Sequence, residues 1–243
     1  MSKLVVEHID FSFGNIEVLI DVSFAIDQGE FVSLIGPSGS GKSTLFSIIG
    51  GIEKPARGSV WLDGENITGK TGHISYTPQT PSLMPWRTVL DNVLLGQEIQ
   101  GFRDEETALK MIERAGLKGF EHRYPHELSG GMKQRVSFIR SLLSPQEMIL
   151  LDEPFSALDE LTRMNMQQWL LSIWSDYQKS ILFVTHNIDE AVFLSDRILV
   201  MSDKPAHIKA EFTVPFTRPR WEDILLSPEF LELKGKILQT LRS

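Results

Sequence analysis

Runs of apolar residues without a polar partner stand out in the second half of the chain: Met148-Ile149-Leu150-Leu151, Ile181-Leu182-Phe183-Val184 and Ile198-Leu199-Val200-Met201. A strand with no polar face is a strand covered on both sides. Helix-forming stretches, Leu158–Tyr177 and Asp189–Leu194, separate these runs, and Phe230–Leu241 reads as a closing helix. This alternation predicts an α/β fold with a mostly parallel sheet between two helical layers. Residues 3–35 read differently, as a β-rich opening of Leu4–Val6, Ile9 with Phe11–Phe13, a Gly14-Asn15 turn, Val18–Ile20, Val22–Ile26 and Phe31–Ile35. Phe11 and Phe13 lie two apart, which on a regular strand puts them on one face. Gly58–Gly64 predicts a hairpin turning at Asp63-Gly64, and Ile74–Tyr76 a short strand ending near Pro78-Gln79.

From about residue 83 to 146 the pattern turns helical, with Val89–Gln100, Glu105–Ala115 and Gly130–Leu143 set between Gly101, Gly116 and Ser144-Pro145. The expected organisation is one domain over residues 1–243: a parallel-sheet core, an antiparallel β subdomain and this inserted helical subdomain. Composition then acts by exclusion. A 42% hydrophobic content supports a substantial core, yet none of these apolar runs approaches the length needed to cross a bilayer. Met1-Ser2-Lys3 leads into Leu4 without the apolar stretch of a secretory leader, so a soluble chain is expected. The absence of cysteine excludes disulfides and thiolate metal sites, and a net charge of −8 argues against a nucleic-acid surface.

The candidate chemistry begins at Gly36-Pro37-Ser38-Gly39-Ser40-Gly41-Lys42-Ser43-Thr44, which follows the Phe31–Ile35 strand and opens a helix. This is a P-loop. Gly36, Gly39 and Gly41 let backbone N–H groups converge on phosphate oxygens. Lys42 would reach the β- and γ-phosphates, and the Ser43 hydroxyl would ligate Mg²⁺. The apolar strand at Met148 ends on two adjacent carboxylates, Asp152 and Glu153, a Walker B pattern. Asp152 would hold Mg²⁺ through its water shell, and Glu153, pointing the other way, would polarise an attacking water. Leu128-Ser129-Gly130-Gly131-Met132-Lys133-Gln134-Arg135 places a serine and two glycines before a helix expected near Met132, a second backbone site for phosphate.

With the Walker pair, that last segment resembles the signature sequence of ATP-binding cassette (ABC) ATPases, a likeness running from Leu4 to about Arg220. The resemblance implies ATP and Mg²⁺ as ligands and ATP hydrolysis as the activity. It also implies roles for further residues. Gln79 resembles the Q-loop glutamine, which senses Mg²⁺ and the γ-phosphate and moves with the transport partner. Ser156-Ala157-Leu158-Asp159 resembles the D-loop, in which Ser156 is otherwise an N-cap candidate. His186 resembles the switch histidine. Phe13 resembles the aromatic residue, usually tyrosine, that stacks on adenine, and Asn187 stands where aspartate is usual. In the family, two copies sandwich ATP head to tail, so that Ser129, Gly130 and Gly131 meet in trans the γ-phosphate held by Lys42 and His186.

Pro81–Val93, Phe155–Asp159 with Thr162-Arg163, Trp169, Trp174, Asp189-Glu190-Ala191 and Arg218-Pro219-Arg220 are similar to importers of nitrate, sulfonates, taurine and vitamin precursors. That implies integral-membrane permease subunits, indirect contact with an external solute-binding protein, and residence on the cytoplasmic face of the cell membrane. The alternative is a non-transport ABC ATPase of the DNA-repair or cofactor-assembly type. The cargo touches the permease and binding protein rather than this chain, so the sequence does not name it.

Overall fold

In β3 (Phe31–Ile35), β7 (Met148–Asp152) and β8 (Ser180–Val184) every residue is buried, as strands without a polar face require. Their side chains divide by parity between two cores. Phe31, Ile149, Leu151, Ile181 and Phe183 face one core, while Val32, Leu34, Met148, Leu150, Leu182 and Val184 face the other. The computed structural model describes residues 2–156 and 158–242, so Met1, Ala157 and Ser243 lie outside the described residues. With β6 (Ser75–Thr77), β9 (Arg197–Met201) and β10 (Ile208–Thr213) the strands form a sheet in the order β10-β9-β3-β8-β7-β6. All of its pairings are parallel except the one between β9 and β10.

One face carries α2 (Val89–Ile99), α3 (Glu105–Arg114), α4 (Gly130–Leu143) and α5 (Glu160–Tyr177). The other face packs on α1 (Lys42–Ile49) and on a second sheet, ordered β2-β1-β4-β5. That sheet consists of β1 (Ser2–Phe13), β2 (Ile16–Asp27), β4 (Arg57–Leu62) and β5 (Glu65–Asn66), antiparallel throughout. A third cluster seats α6 (Ile188–Leu194) and α7 (Pro228–Arg242) against β9. The fold class is therefore the one expected.

Several local expectations need correction. Phe11 and Phe13 do not share a face, because register shifts on both sides of Phe11 break the two-residue alternation. Phe11 is buried and Phe13 is 54% exposed, although their rings still meet edge to face at 4.9 Å. The signature helix spans Gly130–Leu143, as its helical stretch predicts, and so starts two residues before Met132. Ser156 caps nothing; Asp159 is the N-cap of α5 and accepts from Thr162 N at 3.1 Å. The edge strand β10 was not anticipated. Arg218 and Arg220 are structural clamps: their guanidiniums donate to Leu194 O and, from Arg220, to Val192, Phe193 and Ser195 carbonyls at the end of α6. Asn187 does the work of an aspartate at the other end of that helix, accepting from Asp189 N at 2.8 Å and Glu190 N at 3.3 Å.

Candidate nucleotide site

Five loops leave the sheet at the carboxyl ends of neighbouring strands, the usual place for a ligand in a parallel sheet. In spatial order they begin with the turn after β9 and the P-loop after β3. His186 follows after β8, then Asp152-Glu153 at the end of β7 and Gln79 after β6. The P-loop is thus second in a row of five. Its glycines are required by geometry. Gly41 sits at φ 110°, and a Cβ there would lie 2.8 Å from Val18 Cγ1 on β2. Gly36 does not use a positive φ; it is needed because a Cβ would come within 3.0 Å of Met201 Cβ on β9.

Lys42, nearly buried, donates its ammonium to Gly36 O at 3.0 Å and Pro37 O at 2.8 Å. Burial lowers its pKa, against the raising influence of Glu153 and Asp152. Ser38, Gly39, Gly41, Lys42, Ser43 and Thr44 line a cavity of about 370 Å³ together with Gln79, Glu153 and Lys204. Ser40 is buried beneath the loop, within 3.5 Å of the Lys42 ammonium.

The two adjacent carboxylates are placed in different surroundings. Asp152 is buried, accepts from the Tyr76 hydroxyl at 3.3 Å, and has its pKa raised, chiefly by burial. Burial, with the adjacent Asp152 carboxylate adding to it, pushes Tyr76 up to about 12. Glu153 adopts a left-handed backbone at φ 43° and turns its Oε2 towards Gln79 Nε2 and His186 Nδ1, each at 3.4 Å. Gln79 also donates to Ser156 Oγ at 3.2 Å, and that hydroxyl donates to Glu153 O at 3.0 Å. Gln79, Glu153 and His186, scattered over a hundred residues of sequence, are one contact cluster.

Whether this site suits Mg²⁺ can be asked of its donors. Ser43 and Asp152 interact, and Ser43 counts among the influences holding the Asp152 pKa down against burial. Among the described residues no group of three or more His, Cys, Asp or Glu side chains could hold a metal ion on its own. A hydroxyl and one carboxylate fit Mg²⁺, which keeps waters and shares a substrate's phosphates instead of sitting in an all-protein cage.

Ser129, Gly130, Gly131 and Asp159 do not line this cavity. They form a second cluster. Ser129 caps α4 by accepting from Met132 N at 3.3 Å, and a Cβ on Gly131 would meet Thr162 Cγ2, in the first turn of α5, at 3.4 Å. Two helix N-termini, capped by Ser129 and Asp159, are therefore held side by side with solvent-exposed caps. Hydrogen bonding by Thr162 keeps the Asp159 carboxyl below its usual range. Phe13 stands apart from both clusters at the tip of the β1–β2 hairpin.

Two residues at the site carry no signal in the sequence. Tyr76 reads only as part of a strand, and Lys204 belongs to no motif.

The sequence pattern of the ABC transporter family matches residues 19–156, more than half of the chain. The chain belongs to the ABC transporter family. It is 41% identical over 226 residues to the aliphatic sulfonates import ATP-binding protein of Bacillus cereus, covering 93% of this chain and 89% of that protein. It is 40% identical over 238 residues to the nitrate import ATP-binding protein of Synechocystis, covering 94% and 90%. Its fold matches a dimeric ATP-binding cassette solved in a post-hydrolysis state bound to ADP and Pi. That match has a TM-score of 0.74 and 31% identity, over 88% of this chain and 100% of that one. This ABC protein binds and hydrolyses ATP.

Proposed function

We propose that the chain is the ATP-hydrolysing subunit of an ABC import system and that it works as a head-to-tail pair. One observation carries the pairing. Ser129, Gly130 and Gly131 lie outside the cavity that holds the P-loop, Gln79 and Glu153, so a single chain offers two incomplete halves. In a pair, the amides at the start of α4 would meet the γ-phosphate bound to the partner's P-loop, with the favourable dipole of a helix N-terminus. The import names of relatives spanning nine-tenths of the chain favour this reading over the DNA-repair or cofactor-assembly alternative. Nitrate, a sulfonate such as taurine, or a thiamine or pyrimidine precursor remains the proposed cargo class. Relatives within one percentage point of identity carry different cargo names.

Within the site, Lys42 would leave its loop carbonyls for the β- and γ-phosphates, and Phe13 would stack on adenine from the hairpin tip. Glu153 would accept the proton of the attacking water, with His186 and Gln79 fixing the carboxylate's orientation. Mg²⁺, held by Ser43 and Asp152 and approached by Gln79, would neutralise charge gathering on the transferred phosphoryl group. Product formation removes the γ-phosphate contacts from both halves, so the pair reopens.

The helical subdomain at about 83–146 would present the permease-docking surface on the cytoplasmic face of the membrane, with the external solute-binding protein acting through the permease. Among the described residues no helix is long and apolar enough to cross a membrane, so attachment falls to such a surface. Asn92, wholly buried, fastens the loop before α2: it accepts from Met84 N at 2.8 Å and donates to the Met84, Arg87 and Thr88 carbonyls. Leu83, partly buried, packs against the core and is not left for a partner. Met84 lines a groove of about 280 Å³ with Tyr76, Leu95, Ile99 and Arg140, and Trp86 is left 72% exposed nearby. A flexible thioether beside an exposed indole suits a partner helix.

Complementation tests the pairing. Lys42→Ala should damage the site on its own chain and Ser129→Arg the site on its partner, so each variant alone has two damaged sites. A mixed pair has one intact site, and ATPase activity should rise above either parent. Mixed pairs that form without recovering activity would refute the arrangement.

A further inference from the structure

The turn between β9 and β10 is fixed against the P-loop from both sides. Met201, the last residue of β9, lies against Gly36, and Ala206 bonds to β2 by donating to Val18 O at 2.9 Å and accepting from Ile20 N at 3.0 Å. Val18 and Leu19 are the residues that a Cβ on Gly41 would meet. The base of the turn is closed as well: Ser202 N donates to His207 O at 3.0 Å and His207 N to Ser202 Oγ at 3.1 Å. Four residues remain between the closing pair, and Lys204 is the one that lines the nucleotide cavity, alongside Ser38, Gly39, Gln79 and Glu153. It is exposed, and among the described residues no carboxylate lies within ion-pair distance of it.

We propose that Lys204 is a substrate-binding residue, a second mobile cation that contacts the terminal phosphate of ATP beside Lys42. The inference rests on the ATP hydrolysis already assigned and not on the import reading. Lys42 is committed to the interior of the P-loop, whereas Lys204 comes from the turn after β9, the strand beside β3, and lines the same cavity as Glu153 and Gln79. A triphosphate brings more negative charge than Lys42 alone neutralises. An exposed ammonium on a pinned turn supplies a further donor at little cost in burial. The contact should therefore discriminate between triphosphate and diphosphate.

The test is binding of Mg²⁺ with adenylyl imidodiphosphate or with ADP to the full-length chain, measured calorimetrically at two salt concentrations. Lys204→Gln should weaken the triphosphate analogue about fivefold and ADP less than twofold, as loss of one partly screened ion pair requires. It should also flatten the salt dependence of triphosphate binding. Lys204→Arg should restore both, and in steady-state turnover the glutamine variant should raise KM more than it lowers kcat. Thermal unfolding should be unchanged, since the residue is exposed. Unaltered triphosphate affinity in Lys204→Gln would overturn the proposal. So would equal losses for both nucleotides, or a loss that Lys204→Arg fails to rescue.

Discussion

Replacing Glu153 by glutamine separates the base role proposed for this residue from its part in the fold. Its backbone holds the end of β7, donating to Val184 O at 3.0 Å and receiving Ser156 N at 3.2 Å, and neither bond involves the side chain. Glutamine is isosteric and keeps an oxygen that can accept from Gln79 and His186, whose contacts at 3.4 Å are long already. The fold should therefore lose less than about 1 kcal/mol, the worth of an ordinary hydrogen bond. Lys42 keeps the influence of Asp152 on its charged form when that of Glu153 is removed, so ATP affinity should stay within about threefold.

Turnover is a different matter, because an amide cannot accept the water's proton. Loss of a positioned general base costs about 10²–10⁴ in rate. At about 1.4 kcal/mol per decade, that is roughly 3–5 kcal/mol of transition-state stabilisation. Phosphate release under saturating Mg²⁺ and ATP should fall at least a hundredfold in Glu153→Gln, and size-exclusion chromatography with ATP should show a trapped pair. A variant that retains its kcat within tenfold and stays monomeric would refute the base assignment, and Glu153 would then serve only to hold Gln79 and His186.

Other perturbations probe other parts of the molecule. Burial raises the Asp152 pKa above its unfolded value, so the ionised carboxylate opposes folding of the nucleotide-free chain at neutral pH. Asp152→Asn should accordingly raise Tm at pH 7 by roughly one to three degrees. The gain should vanish as the pH falls below about 4, where the group is protonated in both states. Differential scanning calorimetry across pH checks this, and a lower Tm at pH 7 would contradict it; Mg²⁺-dependent turnover should be lost in the same variant. Exchanging both Met84 and Trp86 for aspartate should leave basal ATPase intact and abolish co-purification with the permease. Normal assembly of that variant would remove the docking role, and its unfolding would show that the segment serves the fold.

What the sequence made legible depended on whether the signal was local. β3, β7 and β8 read correctly because burial on both faces leaves no polar position to obscure the run, and the P-loop because its residues are contiguous. The Ser156 reading failed for the opposite reason. Its hydroxyl is held by Glu153 O and Gln79, one of them 77 residues away, so the capping role passed to Asp159. Phe13 was displaced from the face of Phe11 by irregularities that only pairing with β2 creates. β10 escaped because its residues are largely half-exposed at a sheet edge, without the apolar run that marked its neighbours. Lys204 was unreadable: a lone lysine acquires meaning only when Met201 and Ala206 set its turn beside the P-loop.

The distribution of rigid and free segments around Gln79 bears on how hydrolysis and docking are linked. At one end, Gln79 reaches Glu153 and Ser156, so a shift of its side chain changes what holds the proposed base. At the other, Asn92 ties Met84, Arg87 and Thr88 to α2, making the segment around Trp86 part of the helical layer. Arg140 of α4 extends that tie by donating to Ser82 O at 2.7 Å. Only Thr80 and Pro81 are left between the anchored loop and the glutamine. A partner that displaces the Met84–Thr88 segment therefore has almost no slack to absorb the movement before it reaches Gln79. The coupling must also run in reverse: if docking alters how strongly the ATP-bound arrangement is favoured, ATP alters docking affinity by the same factor. The same short connection thus predicts that the permease binds the ATP-bound and nucleotide-free pairs with unequal strength, a difference that lengthening the chain between Pro81 and Ser82 with two glycines should erase.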